Sequence, residues 1–195
     1  MDSLRVSVFC SSSSLVSQKF IDESVELARS LVNEKYMIQY GGGAVGLMGQ
    51  LSKTVLSLKG KIRGIIPQFM IDEGWHNAEV KDMIVVKDMQ DRKKMIMMET
   101  DAIITLAGGY GTLEELTEAI TLKQLGLISV PIIIVNTNGF YNPLLHMFEK
   151  MKQENFIRKT HCEIWHTVNT ALDVVPALLE APQWDTENAR NTAAI

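Results

Sequence analysis

The sequence predicts an α/β fold: a single-domain, doubly wound parallel sheet, Rossmann-like, with helices on both faces. Three observations carry this. Short β-branched runs alternate with longer stretches of helical apolar spacing from one end to the other, which is the pattern of βαβ units. The strand candidates are apolar at both alternating positions, as a sheet covered on both sides requires. The 195 residues suit one domain, and no internal repeat or linker rich in Pro, Gly or Ser divides them.

Each element follows in order. The first strand covers 4–10 (LRVSVFC) and is almost continuously apolar. A helix over 17–34 places Phe20, Ile21, Val25, Leu27, Ala28, Leu31 and Val32 at helical spacing. A strand over 36–40 runs straight into Gly41, Gly42 and Gly43. Next come a helix over 46–58 and a strand over 61–66 that Pro67 stops. The segment 68–82 reads as irregular. A strand at 83–86, a helix at 88–99 and a strand at 102–106 lead to Gly108 and Gly109. A helix over 112–125, a strand over 130–135, a helix over 142–155, a strand near 164–168 and a helix over 170–179 complete the pattern. The polar stretch 183–195 has no periodicity, so the folded domain is taken as 1–182 and the rest as a mobile, disordered tail.

Composition excludes several classes. Lys and Arg number 19 against 23 Asp and Glu, a net charge of −4, whereas a nucleic-acid binder normally shows a basic surplus. The apolar run at 130–135 is far short of the ~20 residues that a membrane span needs. The opening Met1, Asp2, Ser3, Leu4 lacks the basic region of a signal peptide. Two cysteines, Cys10 and Cys162, are too few for a disulfide framework, so a cytoplasmic protein is expected. His161, Cys162 and His166 lack a fourth ligand and the usual spacing for zinc, and no metal site is expected.

Two glycine-rich loops carry the functional signal. Ligands of parallel α/β sheets bind at the carboxyl ends of strands, beside a switch in strand order. Both loops leave a strand there and enter a helix, whose first N–H groups and partial positive charge suit a phosphate. The first loop matches G-x-G-x-x-G through Gly41, Gly43 and Gly46. It lies in the second βα unit, however, and the next strand ends in Ile65, Ile66 and Pro67 rather than an acidic residue. The second loop is Gly108, Gly109, Tyr110, Gly111 and Thr112, followed by Leu113, Glu114 and Glu115. Thr112 is placed to cap the helix and offer its hydroxyl to a phosphate. Glu115 lies about one turn inside, able to face back to the strand ends, while Glu114 suits simple helix stabilisation. Upstream, Arg92, Lys93 and Lys94 crowd a helix start and oppose its dipole, which a bound anion would offset. Lys94 reads as a solvated residue.

These motifs together closely resemble the LOG (LONELY GUY) family, long labelled "lysine decarboxylase". The resemblance spans roughly residues 4–180. The family's P-G-G-x-G-T-x-x-E falls on Ala107, Gly108, Gly109, Gly111, Thr112 and Glu115, and its Arg-Lys pair on Arg92 and Lys93. Gln124 to Gly126 and Asn138 to Pro143 also resemble it. Ala107 stands where the family has proline, Ser11 where glycine is usual, and Gln90 where histidine is common. The resemblance implies a cytokinin riboside 5′-monophosphate phosphoribohydrolase, which releases a free base and ribose 5-phosphate.

What the resemblance implies of the chemistry is hydrolysis of an N-glycosidic bond through an oxocarbenium-like centre at C1′. Glu115 is then the carboxylate that stabilises the cation and activates water, and the candidate catalytic pair is Glu115 and Arg92. Arg92 stays protonated, so it either holds phosphate or ribose hydroxyls or orients the carboxylate. Phosphate and substrate contacts are assigned to Gly108, Gly109, Gly111, Thr112, Lys93, Ser12 and Ser13, with Gly43 and Met48 of the first loop and Glu73 toward ribose or base. No metal or cofactor is required, and no motif marks a lysine that would hold pyridoxal phosphate. The methionines from Met83 to Met98, including Met89, read as core or subunit-interface packing, and Trp75 and Trp165 as packing. A homodimer with its site near the subunit boundary is implied. Two alternatives remain open: a broader AMP or purine-nucleotide nucleosidase, and a non-catalytic nucleotide or cofactor carrier such as a molybdenum-cofactor carrier.

Overall fold

The computed structural model describes residues 3–158, 161 and 163–193. Seven parallel strands form one sheet: β1 (Arg5–Phe9), β2 (Met37–Tyr40), β3 (Lys61–Pro67), β4 (Asp82–Val86), β5 (Ala102–Thr105), β6 (Ile132–Val135) and β7 (His166–Val168). The strand order is β4-β3-β2-β1-β5-β6-β7, so the chain winds one way from β1 to β4 and the other from β5 to β7. The reversal falls between β1 and β5, paired from Val6 with Ala102 to Phe9 with Thr105. The doubly wound parallel sheet is therefore as the sequence predicts.

Helices cover both faces because neighbouring strand residues point to opposite sides. On one face Val6, Val8, Ile38, Ile104 and Ile133 pack with Leu27, Ala28 and Leu31 of α1 (Gln18–Asn33) and Leu47, Leu51 and Val55 of α2 (Gly46–Ser57). On the other, Phe9, Ile65, Ile103, Ile132 and Ile134 pack with Ile96 and Met97 of α4 (Met89–Met98) and Leu116 and Ala119 of α5 (Tyr110–Gln124). Most of these side chains are completely buried, each worth about 1.5–3 kcal/mol of transfer free energy. Between the last two strands α6 spans Asn142–Gln153, and after β7 a 3₁₀ turn at Ala171–Asp173 leads into α7 (Val174–Glu180).

Three expectations need correction. The segment 68–82 contains a short helix, α3 (Gln68–Asp72), and its following residues pair with the first glycine loop. The helix expected from Thr112 begins at Tyr110, so Thr112 sits inside the first turn and Gly109 is the cap residue. The stretch expected as a disordered tail carries α8 (Thr186–Ala193). Trp184 holds that stretch down, its Nε1 donating to Lys123 O at 2.9 Å, and Ala189 is buried. Two anchoring residues are too few to produce periodicity. Cys162 lies outside the described residues.

Candidate active site

A cavity of about 670 Å³ opens over the carboxyl edge of the sheet, at the switch point. Residues from the ends of β1, β2 and β5, from the segment after β3, and from α4 and α5 line it. The loop after β1 is held by its own serine: Ser11 Oγ accepts from Ser13 N at 3.0 Å. Ser11 N donates to Ala107 O and Ser11 O accepts from Met48 N, so this residue ties all three loops together. Ser12 and Ser13 project into the cavity lining. In α5 the first intrahelical bond runs from Leu113 N to Gly109 O. The N–H groups of Tyr110, Gly111 and Thr112 thus have no partner within the helix, and they present the positive dipole end to the cavity.

Two glycines are required by close approach. A Cβ on Gly108 would collide with the Thr112 side chain, so glycine there lets the buried hydroxyl swing under the loop. A Cβ on Gly41 would collide with the Arg92 guanidinium. Arg92 is buried, and its charge is held by carbonyls that the strand ends leave free. Nε donates to Ile65 O at 3.1 Å and Nη2 to Gly41 O at 3.2 Å. Nη1 lies 3.6 Å from Glu115 Oε1, and both side chains are only 6% exposed. Burial pushes the Glu115 carboxyl above its ordinary value, and Arg92 opposes that rise. Cys10 lies beneath the pair, its thiol pushed up first by burial and then by the Glu115 charge, so it stays protonated. The anion that balances Arg92 is Glu115 itself.

The structure brings together Glu115, Arg92, Gly109, Gly111, Thr112, Ser12, Ser13, Gly43 and Met48, all in the cavity wall. It does not bring Lys93 or Glu73. Lys93 Nζ is bonded to Glu114 at 2.7 Å and to Glu118 at 2.9 Å, and it clamps α4 to α5 instead of facing the cavity. Glu73 is exposed at the end of α3, while its neighbours Met70, Gly74 and Trp75 line the cavity. Gly108 acts behind the wall, by making room for Thr112. Gly41 and Tyr110 of the two glycine loops also face the cavity, as do Trp75 and Met89, which the sequence reads as packing, Glu114, which it reads as helix-stabilising, and Met70, which it does not single out. Among the described residues, no group of three His, Cys, Asp or Glu side chains is placed to hold a metal ion.

A family model described as "possible lysine decarboxylase" matches residues 48–178. Cytokinin riboside 5′-monophosphate phosphoribohydrolase LOG5 of Arabidopsis thaliana is 38% identical over 174 residues, covering 89% of this chain and 76% of that protein. LOG3 of the same plant is 39% identical over 176 residues, covering 90% and 82%. The chain belongs to the LOG family. Solved structures similar to this LOG chain include the molybdenum cofactor carrier protein of Chlamydomonas reinhardtii, with a TM-score of 0.72 at 14% identity over 92% of this chain and 98% of that one. The molybdenum cofactor binding protein of Rippkaea orientalis has a TM-score of 0.68 at 16% identity, covering 92% and 97%. At such identities the likeness is one of fold. Among the described residues, no lysine lines this LOG cavity.

Proposed function

We propose that this protein hydrolyses the N-glycosidic bond of a purine or cytokinin nucleoside 5′-monophosphate, releasing free base and ribose 5-phosphate, and that it does so as a cytoplasmic homodimer. The single observation that carries the reading is the Arg92–Glu115 pair, buried in the wall of a cavity whose edge is a helix N-terminus. A carrier needs the glycine loops but no buried carboxylate beside them. The names of the LOG relatives support the same reaction.

In this mechanism the 5′-phosphate rests on the N–H groups at the start of α5, with the Thr112 and serine hydroxyls around it. Its binding energy positions the ribose. Glu115 faces C1′, stabilises positive charge as the bond to the base breaks, and takes a proton from the attacking water. Arg92 holds the carboxylate in place and favours its ionised form against burial. Because Arg92 is already satisfied by Ile65 O, Gly41 O and Glu115, it acts on the carboxylate more than on the phosphate. The leaving base departs toward the β3 side of the cavity.

The test is to incubate the protein with nucleoside monophosphates and the matching nucleosides and to detect free base. Charge-assisted hydrogen bonds are worth about 1.5–3 kcal/mol each, so losing two or three lowers kcat/KM at least about a hundredfold. Equal turnover of AMP and adenosine would overturn the reading. Comparing AMP with its N6-isopentenyl derivative separates a broad purine-nucleotide nucleosidase from a cytokinin-directed one.

A further inference from the structure

We propose that Trp75 is the base-selecting residue of this site, an aromatic wall on which the purine stacks at the end of the cavity opposite the phosphate grip. This rests on the proposed nucleotide reading and adds a residue and a selection rule to it.

Strand order gives the placement. The cavity wall runs from the segment after β3 (Met70, Gly74, Trp75), through the glycine loop after β2 and the serine loop after β1, to the 109–112 turn after β5. Trp75 and the start of α5 are thus three strand spacings apart, about 14 Å. The Arg92–Glu115 pair lies between them, since Arg92 bonds the ends of β3 and β2 while Glu115 comes from α5. A nucleotide with its phosphate on α5 and C1′ at Glu115 extends its base toward Trp75.

Trp75 is not a loose surface aromatic. Ala44 N donates to Trp75 O at 3.0 Å and Asn77 N to Gly42 O at 2.9 Å, so Trp75 itself and the residue two places on are stitched to the glycine loop. Trp75 N donates to Met70 O, and the Phe69 ring packs edge-on against the indole at 6.3 Å. Yet Trp75 remains 51% exposed, an unused aromatic face beside a cavity. Trp165 and Trp184, by contrast, pack against the second core cluster.

The same end of the cavity sets the selection rule. Met70 and Val45 line the cavity beside Trp75, and Met48 and Met89 line it toward Arg92; none of the four offers a strong side-chain hydrogen-bonding group to a base edge. Thioether side chains adapt to apolar substituents of varied shape. Recognition here therefore selects for a stacked, planar base and tolerates an alkyl group on its exocyclic amine. An apolar pocket discriminates such groups by only about 10–200-fold.

The experiment compares wild type, Trp75→Ala and Trp75→Phe for binding AMP, N6-isopentenyl-AMP and ribose 5-phosphate, with tryptophan fluorescence recorded during each titration. Both nucleotides are expected to quench wild-type emission, and Trp75→Ala to weaken their binding at least about tenfold, the scale of one base–aromatic contact. Ribose 5-phosphate, which carries no base, should bind the variant within about twofold of wild type. Trp75→Phe keeps an aromatic face and should retain most of the nucleotide affinity. Unchanged nucleotide affinity in Trp75→Ala, or an equal loss for ribose 5-phosphate, overturns the inference. A preference between the two nucleotides above a few hundredfold overturns the selection rule. Quenching by AMP with no base released from any nucleotide would sink the hydrolytic reading and leave Trp75 as the base wall.

Discussion

At the scale of single residues, Glu115 is the group whose surroundings are arranged against its usual behaviour. Burial favours its neutral form, and the guanidinium at 3.6 Å favours the charged one. Burial is the larger influence, so the carboxyl titrates above the range near 4.3 of a solvated glutamate. A base must be ionised to accept a proton. The acid limb of kcat/KM is therefore expected at higher pH than an exposed carboxylate would give, with activity lost as pH falls through the raised value. A pH–rate profile checks this, and an acid limb at or below the ordinary value would remove Glu115 as the titrating base. Glu115→Gln keeps the size and removes charge and basicity. Turnover should fall about 10²–10⁴-fold, with nucleotide affinity little changed because the phosphate turn is untouched. Arg92→Ala leaves a buried carboxylate uncompensated and two strand-end carbonyls without their donor. It should lose turnover and also about 3–5 kcal/mol of stability, read by denaturant unfolding. Glu114→Gln is the control. Its side chain is 59% exposed and Lys93 keeps Glu118, so both turnover and stability should change little.

At the scale of elements, the two glycine loops and the strand–helix alternation were legible because each leaves a local mark: a run of glycines, a period of two or of 3.6. Arg92 and Lys93 show where that legibility stops. They are adjacent in sequence but about 100° apart on α4, so one reaches the strand ends and the other reaches α5. A run of like charges gives no sign of that division. Trp75 reads as mere packing for another reason: its place is set by the backbone bonds of Trp75 to Ala44 and of Asn77 to Gly42, about thirty residues earlier, and not by any periodicity of its own. The end of the chain is a similar case. Lys123 is buried near the end of α5, its Nζ 5.3 Å from the centroid of the Trp184 ring, and burial pulls its pKa down to about 8. In the unfolded chain the amine titrates near 10.5, so between pH 8 and 10.5 the unfolded state binds more protons than the folded one. Stability should therefore rise with pH across that window, as the buried amine becomes neutral. Lys123→Met keeps the apolar stem and removes the buried charge. It is expected to raise Tm at pH 7 and to flatten the dependence above pH 8. A variant with lower Tm at pH 7 would mean that the cation–π contact with Trp184 outweighs the desolvation of the amine.

At the scale of the whole molecule, the rim of the cavity raises the question of assembly. Tyr110 is 94% exposed and Leu15 95% exposed, one beginning α5 and the other following the serine loop. Val45 adds half-exposed apolar surface to the same opening. Clustered apolar side chains beside a binding cavity are commonly covered by a partner. In the proposed homodimer that partner is a second copy of this chain, with the site near the boundary between the two. The methionines that the sequence reads as core or subunit-interface packing divide between several roles. Met97 is in the core, Met89 lines the cavity, and only Met98 is largely exposed on α4. The contact is therefore expected to involve the cavity rim more than α4. Placing a charge in it by Tyr110→Glu or Leu15→Glu should shift sedimentation from dimer toward monomer. Leu15→Glu is the cleaner arm, because Leu15 does not line the cavity. If the partner completes the site, kcat/KM in that variant should fall with the dimer fraction and recover as protein concentration is raised. A wild-type protein that sediments as a fully active monomer at assay concentration would rule the dimer out. A dimer that survives Leu15→Glu with full activity would move the interface away from the cavity rim.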